Sequence, residues 1–167
     1  MIYHAPAIEE PTDQGDIIDG CPVGLITDFE IDRLDTIKSR FAVNRVIVLT
    51  QTCDLANMKA ASIVVASVFD AQTLIDAKVV KAADVKGPVR AGRTFGLYFL
   101  PASFSLQFGE MLVDLRNLHT VRPEFLTKLC LANKRLARLK MPYREHLAKH
   151  FADTYSRIGL PQPYETL

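Results

Sequence analysis

Two runs of consecutive apolar residues are the clearest pattern in the chain, and they predict buried strands. Residues 45–50 contain four aliphatic residues in a row, and residues 62–69 contain a second run of the same kind. Continuous rather than alternating apolar residues are typical of strands with both faces buried. Shorter segments predict further strands at residues 15–19, 23–26, 96–100, 110–115 and 118–121.

Apolar residues three and four positions apart predict helices elsewhere. In the charge-rich residues 27–43 this spacing favours a short helix, and a long extended loop is the alternative. Its apolar positions are Ile31, Leu34, Ile37 and Phe41. Residues 71–85 have a helix-forming composition, and Gly87-Pro88 is expected to end that helix.

The C-terminal third predicts two helices. The first covers residues 124–139 and begins after Pro123, a residue favoured in the first helical turn. The second covers residues 143–158, and Gly159 suits its C-terminal cap. Strands that precede helices in the chain indicate the α+β class rather than alternating βαβ units.

The domain organisation is expected to be simple. Residues 1–14 contain two prolines and are predicted as a loosely held N-terminal arm. Residues 15–167 have the length of one domain.

Charge and cysteine usage narrow the functional classes. The net charge is +1, so any contact with nucleic acid has to come from a local basic patch.

The three cysteines, Cys21, Cys53 and Cys130, form no CxxC pair, which disfavours a zinc site and favours reduced thiols in the cytoplasm. No apolar run approaches the roughly 20 residues of a membrane span, and the N-terminus lacks a signal-peptide pattern. We therefore expect a cytoplasmic protein without membrane contact and without a metal site.

Reactive side chains are concentrated directly after the first apolar run. They are Thr50, Gln51, Thr52, Cys53 and Asp54. A Cys53 thiolate at a strand end can act as a nucleophile, with His119 as its base and Asp54 in support. The alternatives are that Asp54 caps the following turn through the backbone amides of residues 55–57, and that Cys53 is a small buried hydrophobe.

A basic stretch precedes two aromatic residues. It comprises Lys78, Lys81, Lys86, Arg90 and Arg93. Cations can hold phosphates while exposed aromatics such as Tyr98 and Phe99 stack bases, and a solvated charged surface is the alternative.

His146 and His150 stand four apart on a predicted helix. We interpret them as part of a solvated helix face, because two ligands alone do not make a zinc site.

Several segments resemble PemK/MazF-like proteins: residues 15–17, 46–49, 63–68 and 112–121. The resemblance implies a small, curved antiparallel SH3-like β-barrel over about residues 15–121. The two helices predicted from the apolar spacing would follow it as an extension over about residues 124–160. Many members of that family are toxins that cut single-stranded RNA, usually as homodimers paired with an antitoxin. Catalysis there is associated with an arginine before the second strand and a serine or threonine after the third, where this chain has Arg45 and Ser67.

Three functional hypotheses follow. The first is binding or cleavage of single-stranded RNA without a cofactor, in which Arg45 and Arg93 stabilise charge and His119 is the base. The second is a non-enzymatic binding or regulatory module for a protein partner or a second copy of the chain. The third is a Cys53-dependent hydrolase or transferase. The residues expected to contact a ligand are Thr50, Gln51, Thr52, Ser67, Arg90 and Arg93.

Overall fold

Seven strands pair into one antiparallel sheet in the computed structural model, which describes residues 2–57 and 61–156. In chain order the strands are β1 (Tyr3–His4), β2 (Asp16–Glu30), β3 (Arg33–Val48), β4 (Ile63–Asp70), β5 (Leu97–Leu100), β6 (Met111–Val121) and β7 (Arg135–Leu139). Their spatial order is β1-β7-β2-β3-β4-β6-β5, which leaves β1 and β5 at the two edges. This sheet, together with its helices, confirms the predicted α+β class.

The helices lie after the strands and between them. Those of the described ranges are α1 (Thr52–Ala56), α2 (Ala71–Asp76), α3 (Ala82–Asp84), α4 (Pro123–Leu131) and α5 (Tyr143–Tyr155), with a π-helical turn at Val85–Val89. None of the helices in these ranges has both the length and the apolar character to cross a bilayer.

The two apolar runs form the last part of β3 and most of β4, and there both faces of the sheet are buried. On one face, Val46 and Val65 pack with Leu126 of α4. On the other face, Ile47 packs with Leu147 of α5. All five side chains are at most 1% exposed. The prediction from the continuous apolar runs is therefore confirmed.

Residues 27–43 form a β-hairpin, so the predicted short helix is wrong. β2 and β3 remain paired along almost their whole length, up to the Glu30–Arg33 pair beside the turn. Among the described residues, residues 22–30 and 33–43 pair only with each other, and we call them the β2–β3 arm. Ile31 and Phe41, which suggested a buried helix face, are 82% and 76% exposed there. The cross-strand ladder, a long-range feature, determines the conformation of this segment rather than the local spacing.

The predicted helix over residues 124–139 is also wrong in its second half. Asn133 has φ 57°, a left-handed conformation that ends helices and that asparagine tolerates better than most residues. β7 follows, and there Arg135 and Arg138 form ion pairs with the fully buried Asp16 of β2. These ion pairs link β7 to β2.

The second predicted C-terminal helix is present as α5. It contributes Leu147 and the partly buried Phe151 to the core beneath the sheet. Within the described residues it ends at Tyr155. The predicted end at Ile158 and the predicted cap Gly159 lie outside the described residues.

Residues 71–85 form two short helices instead of one. Lys78, between α2 and α3, has φ 58°, which interrupts the helical backbone. Gly87 and Pro88, expected to end the helix, lie inside the π-helical turn. This turn carries the chain towards β5 and positions Arg90 beside that strand.

Residues 2–14, for which a loosely held arm is predicted, contribute the edge strand β1. Tyr3 pairs with Leu139 of β7 and is only 2% exposed. Its hydroxyl donates a 2.8 Å hydrogen bond to the carbonyl oxygen of Pro101, just after β5, and its ring packs edge-on against Phe108. The two sheet edges therefore approach each other. No ladder joins β1 to β5 in the described ranges, so the sheet is open.

Candidate functional site

The predicted reactive segment connects β3 to α1. Thr50 has a structural role there, because its hydroxyl accepts a 2.8 Å hydrogen bond from the backbone amide of Val64. Gln51 is the residue before the helix, and its side chain makes no capping bond. Asp54 lies within the first turn of α1 and is exposed. Among the described contacts it makes none of the predicted bonds to the amides of residues 55–57.

Cys53 is exposed, so it is not the buried hydrophobe of the alternative interpretation. Its Sγ lies 3.7 Å from Oε1 of Gln51 and 3.9 Å from Oδ1 of Asp54. Both groups are near neighbours in sequence, and in the described part of the chain no imidazole contacts the thiol. His119, the expected base, forms its hydrogen bond with Ser67 instead. Among the described residues, the geometry therefore supplies Cys53 with no histidine base, and the carboxylate of Asp54 is the one acidic group beside the thiol.

A cleft lies beside this segment, between the end of the central strands and α5. Its volume is about 600 Å³. Its lining comprises Gln14, Leu49, Thr50, Gln51, Asp54, Ser62, Val64, Ala148, Phe151 and Ala152. The hydroxyl of the adjacent Thr52 is buried and has no hydrogen-bond partner among the described residues. The cleft presents a largely apolar floor and one carboxylate, and no acid–base pair.

Ser67 and His119 are brought together, with Asn44, on one face of the sheet. The Ser67 Oγ accepts from Nδ2 of Asn44 (3.1 Å) and lies 3.0 Å from Nε2 of His119. Burial lowers the pKa of His119, which favours neutral imidazole with Nε2 as acceptor of the hydroxyl proton. Ser67 is fully buried, so it cannot reach a substrate. The three side chains form a polar network that links β3, β4 and β6.

Arg45 lies on the opposite face from this network. Val46, its neighbour, is the residue paired with Ser67, and successive side chains on a strand point to opposite faces. Arg45 binds Asp19 through Nε (2.5 Å) and Nη2 (3.1 Å). Arg45 and Ser67, the two positions that the family resemblance associates with catalysis, therefore lie on opposite faces of the sheet.

A different group of side chains converges at the free edge of β5. It lines a groove of about 260 Å³ between the π-helical turn and α5. We call it the β5 groove, and its lining is Val89, Arg90, Ala91, Gly92, Tyr98, Phe99, His146 and His150. In the described residues β5 pairs only with β6, so backbone groups on its other side are open to the groove.

Arg90 supplies the positive charge of the β5 groove. The centre of its guanidinium lies 4.7 Å from the centroid of the Phe99 ring. The guanidinium also pairs with the carboxylate of Glu110. These two contacts hold the group above the aromatic face, an arrangement in which a cation is stabilised by the ring. Arg93 is exposed nearby and is not part of the lining.

The opposite wall of the β5 groove carries the two histidines. His150 Nε2 donates to the carbonyl oxygen of Thr94 across 3.2 Å, and its ring packs edge-on against Tyr98 at 5.7 Å between centroids. His146 is exposed and packs edge-on against Tyr143. The Tyr98 hydroxyl donates to the backbone carbonyl of Tyr143 at 3.3 Å. Burial raises the pKa of Tyr98 to about 12, so this phenol stays neutral at physiological pH.

The sequence patterns identified three of the eight residues that line this groove. They singled out Arg90, Tyr98 and Phe99, but they assigned His146 and His150 to a solvated helix face. The signal that identifies them is their four-residue spacing, which places both rings on one face of α5. That this face lies against the edge of β5 depends on tertiary packing.

Within the described residues, no cluster of three or more histidine, cysteine or acidic side chains is arranged to hold a metal ion. No protein-family model matches the chain, and no curated protein matches it.

Proposed function

We propose that this protein binds single-stranded RNA in the β5 groove, within a PemK/MazF-like, SH3-like scaffold. The observation that carries the proposal is the stacking of the Arg90 guanidinium on Phe99 opposite Tyr98, His146 and His150. Cationic, aromatic and imidazole groups in one small groove match the chemistry of a nucleotide. The phosphate pairs with the cation, and the base packs against the rings.

The size and position of the β5 groove favour a single strand over a duplex. A volume of about 260 Å³ accommodates about one nucleotide rather than a paired helix. Unpaired bases can also be turned outwards to reach aromatic side chains and backbone hydrogen-bonding groups, which a duplex keeps covered. The free edge of β5 supplies such backbone groups beside Tyr98.

Local charge supports the same proposal although the net charge is only +1. Lys86 and Arg93 are exposed on either side of Arg90 along the chain. In the described residues neither one has an ion-pair partner, so both cations are available to pair with phosphates. The scaffold proposal is supported by the contact of Tyr3 with Pro101, which brings the two edges of the sheet towards each other as in a barrel.

Binding of a short fluorescein-labelled single-stranded RNA, followed by fluorescence anisotropy, tests the proposal. Arg90→Ala should weaken binding, and it should make the salt dependence of Kd shallower because one phosphate contact is lost. Tyr98→Leu keeps apolar bulk and removes stacking, which is worth about 1–3 kcal/mol per base. Arg122→Ala is the matched control, because Arg122 is also an exposed arginine paired with a carboxylate and lies outside the groove.

Two results contradict the proposal. One is the absence of salt-dependent binding by the wild-type protein. The other is equal weakening by Arg90→Ala and Arg122→Ala, which would indicate binding to the general charge of the protein rather than to the groove.

A second candidate function, self-association through the β2–β3 arm, is favoured by the exposed apolar residues of the arm. Leu25, Ile26, Phe41 and Val43 are each more than 60% exposed, and in the described part of the chain no strand pairs with either outer edge of the arm. Apolar patches and open strand edges are typical of interaction surfaces. We propose a second copy of this chain as the partner, in line with the homodimers of the family that the sequence resembles.

Light scattering coupled to size-exclusion chromatography tests this second proposal. The wild-type protein should elute as a dimer, and a Phe41→Ser/Val43→Ser variant as a folded monomer. A wild-type monomer at micromolar concentration contradicts self-association and leaves the RNA proposal intact.

A further inference from the structure

We propose that the cleft beside Asp54 binds a small organic cation, in which a protonated amine is joined to an apolar body. The cleft has a volume of about 600 Å³ and lies between the end of the central strands and α5. We call it the Asp54 cleft. Thr50 and Gln51, expected from the sequence to contact a ligand, both line it. The proposal does not depend on the binding of RNA in the β5 groove.

The apolar walls of the Asp54 cleft are the first argument. Five of its ten lining residues have apolar side chains: Leu49, Val64, Ala148, Phe151 and Ala152. The aromatic ring among them, that of Phe151, is only partly buried. A concave surface of this size, with apolar walls and a few polar groups, is typical of a site for a small molecule. The apolar body of the ligand is expected to pack against these walls.

The charge of the cleft is the second argument. Its lining contains one carboxylate, that of Asp54, and no lysine, arginine or histidine. The side chain of Asp54 is exposed, and it has no ion-pair partner within residues 2–57 and 61–156. A carboxylate beside an apolar surface attracts a cation more strongly than one in bulk water does, because the local dielectric constant is lower. The cleft therefore favours a cationic ligand over an anionic one.

One cation lies close to the cleft, and it is already paired. Arg144 lines an adjoining pocket that shares Ala148 with the Asp54 cleft. Its guanidinium forms ion pairs with Asp13 (3.2 Å) and with Glu145 (3.0 Å). Because two carboxylates neutralise Arg144, the charge of Asp54 remains available to a ligand.

Gln14 supplies a second acceptor for the amine. This residue lines the cleft and is only 7% exposed. Its amide nitrogen donates a 3.0 Å hydrogen bond to the carbonyl oxygen of Leu49, which fixes the orientation of the amide. Among the described contacts the amide oxygen has no donor. A protonated amine has three N–H donors and no acceptor, so it can serve both this oxygen and the carboxylate of Asp54.

The Asp54 cleft and the β5 groove use different sides of α5. Ala148 lines the cleft and is two positions from both His146 and His150, which line the groove. Residues two positions apart point about 200° away from each other around a helix. A ligand in the Asp54 cleft should therefore leave the β5 groove open.

Titration of 4-phenylbutylamine into the ¹⁵N-labelled full chain, followed by NMR, tests the proposal. We expect changes at the amides of residues 49–54 and 148–152, with a Kd in the millimolar range for a probe of about eleven non-hydrogen atoms. The neutral 4-phenylbutan-1-ol has the same body and should bind about three- to five-fold more weakly, the value of one exposed ion pair. Methylammonium lacks the body and should show no measurable binding.

Two variants test the charge and the shape of the cleft. Asp54→Asn should weaken binding of the amine about three- to five-fold and leave binding of the alcohol unchanged. Asp84→Asn is the matched control, because Asp84 is also an exposed aspartate in the first turn of a short helix and lies outside the cleft. Ala148→Leu adds bulk to the wall and retains a good helix former, so it should weaken binding of both probes. Thermal unfolding should show that each variant is folded.

Three results overturn the proposal. The first is the absence of changes at residues 49–54 in the presence of about 10 mM amine, a concentration above the expected Kd. The second is equal binding of the amine and the alcohol, or equal weakening by Asp54→Asn and Asp84→Asn, either of which would show that the charge of Asp54 does not select the ligand. The third is a response confined to residues 89–99, which would place the amine on the aromatic rings of the β5 groove.

Discussion

His150 Nε2 donates a hydrogen bond to the carbonyl oxygen of Thr94 across 3.2 Å. This contact joins α5 to the segment that leads into β5. A second contact close by, from the backbone amide of Gly96 to the hydroxyl of Thr154 (3.3 Å), joins the same two elements. The helical wall and the strand wall of the β5 groove are thus fixed relative to each other, which is the condition for a preorganised site.

The hydrogen bond between His150 and Thr94 predicts a difference between two substitutions. His150→Gln retains a donor near the position of Nε2, whereas His150→Asn is too short to provide one. We expect the asparagine variant to be about 1 kcal/mol less stable than the glutamine variant in urea unfolding, because a half-buried carbonyl loses its partner. Equal stability of the two variants would show that the hydrogen bond does not hold the groove together.

The buried ion pairs of Asp16 predict that substitution of this residue causes a large loss of stability. Its carboxylate is fully buried and accepts hydrogen bonds from Arg138 (2.6 and 2.9 Å) and Arg135 (3.1 Å). Asp16→Asn removes the buried charge with which both guanidinium groups pair and leaves Arg138 only its ion pair with Glu10 (3.3 Å), at a cost of about 3–5 kcal/mol in the free energy of unfolding. Asp28→Asn breaks the exposed pair with Lys38 and should cost less than about 1 kcal/mol. Similar losses in the two variants would contradict the account of how β7 is held.

The cysteines differ in accessibility, and this predicts selective alkylation. Cys53 is exposed, whereas Cys21 and Cys130 are buried. Burial raises the pKa of Cys21 to about 11 and also raises the pKa of Cys130, so both stay protonated at neutral pH. Mass spectrometry after iodoacetamide treatment of the folded protein should show one modification, at Cys53. RNA binding by the alkylated protein should be unchanged, and a loss of binding would place the site at Cys53 after all.

His119 predicts a loss of stability at acid pH. Its folded-state pKa is below the ordinary value of 6.5, so the folded protein binds its proton less readily than the unfolded chain does. The contribution of neutral His119 to the free energy of unfolding is complete above about pH 6.5, and it is lost as the pH falls through the folded-state pKa. The difference in unfolding free energy between about pH 7.5 and about pH 5.5, values on either side of the imidazole range, should therefore be smaller in His119→Gln than in the wild type. An unchanged or larger difference would contradict the burial of this imidazole beside Ser67.

The sequence predicted the centre of the fold better than its periphery. The runs around Val46 and Val65 identified the central strands, because a strand that is buried on both faces has consecutive apolar residues. Most of the β2–β3 arm, apart from the strand predicted at residues 23–26, was missed. Its apolar residues, such as Phe41, are exposed to solvent, so their spacing does not indicate a buried face. β7 was missed because the ion pairs of Arg138 with Asp16 join residues far apart in the chain.

The candidate site was predicted only in part, for a related reason. Arg90 and Tyr98 lie close together in the sequence, so the basic and aromatic character of this stretch is visible in the sequence alone. The proximity of His146 and His150 to that stretch depends on α5 packing across the edge of β5. For Arg45 and Ser67 the family resemblance suggested a shared role in catalysis. The structure places their side chains on different faces of the sheet.

Mapping the contact surface of RNA on the folded protein tests the central claim most directly. Short single-stranded RNA is titrated into ¹⁵N-labelled protein, and the amide and imidazole resonances are followed by NMR. Binding in the β5 groove predicts changes at residues 89–99 and at the rings of His146 and His150, with the β2–β3 arm and the segment around Cys53 unaffected. Changes concentrated around residues 50–54, or the absence of changes at saturating RNA, would contradict it.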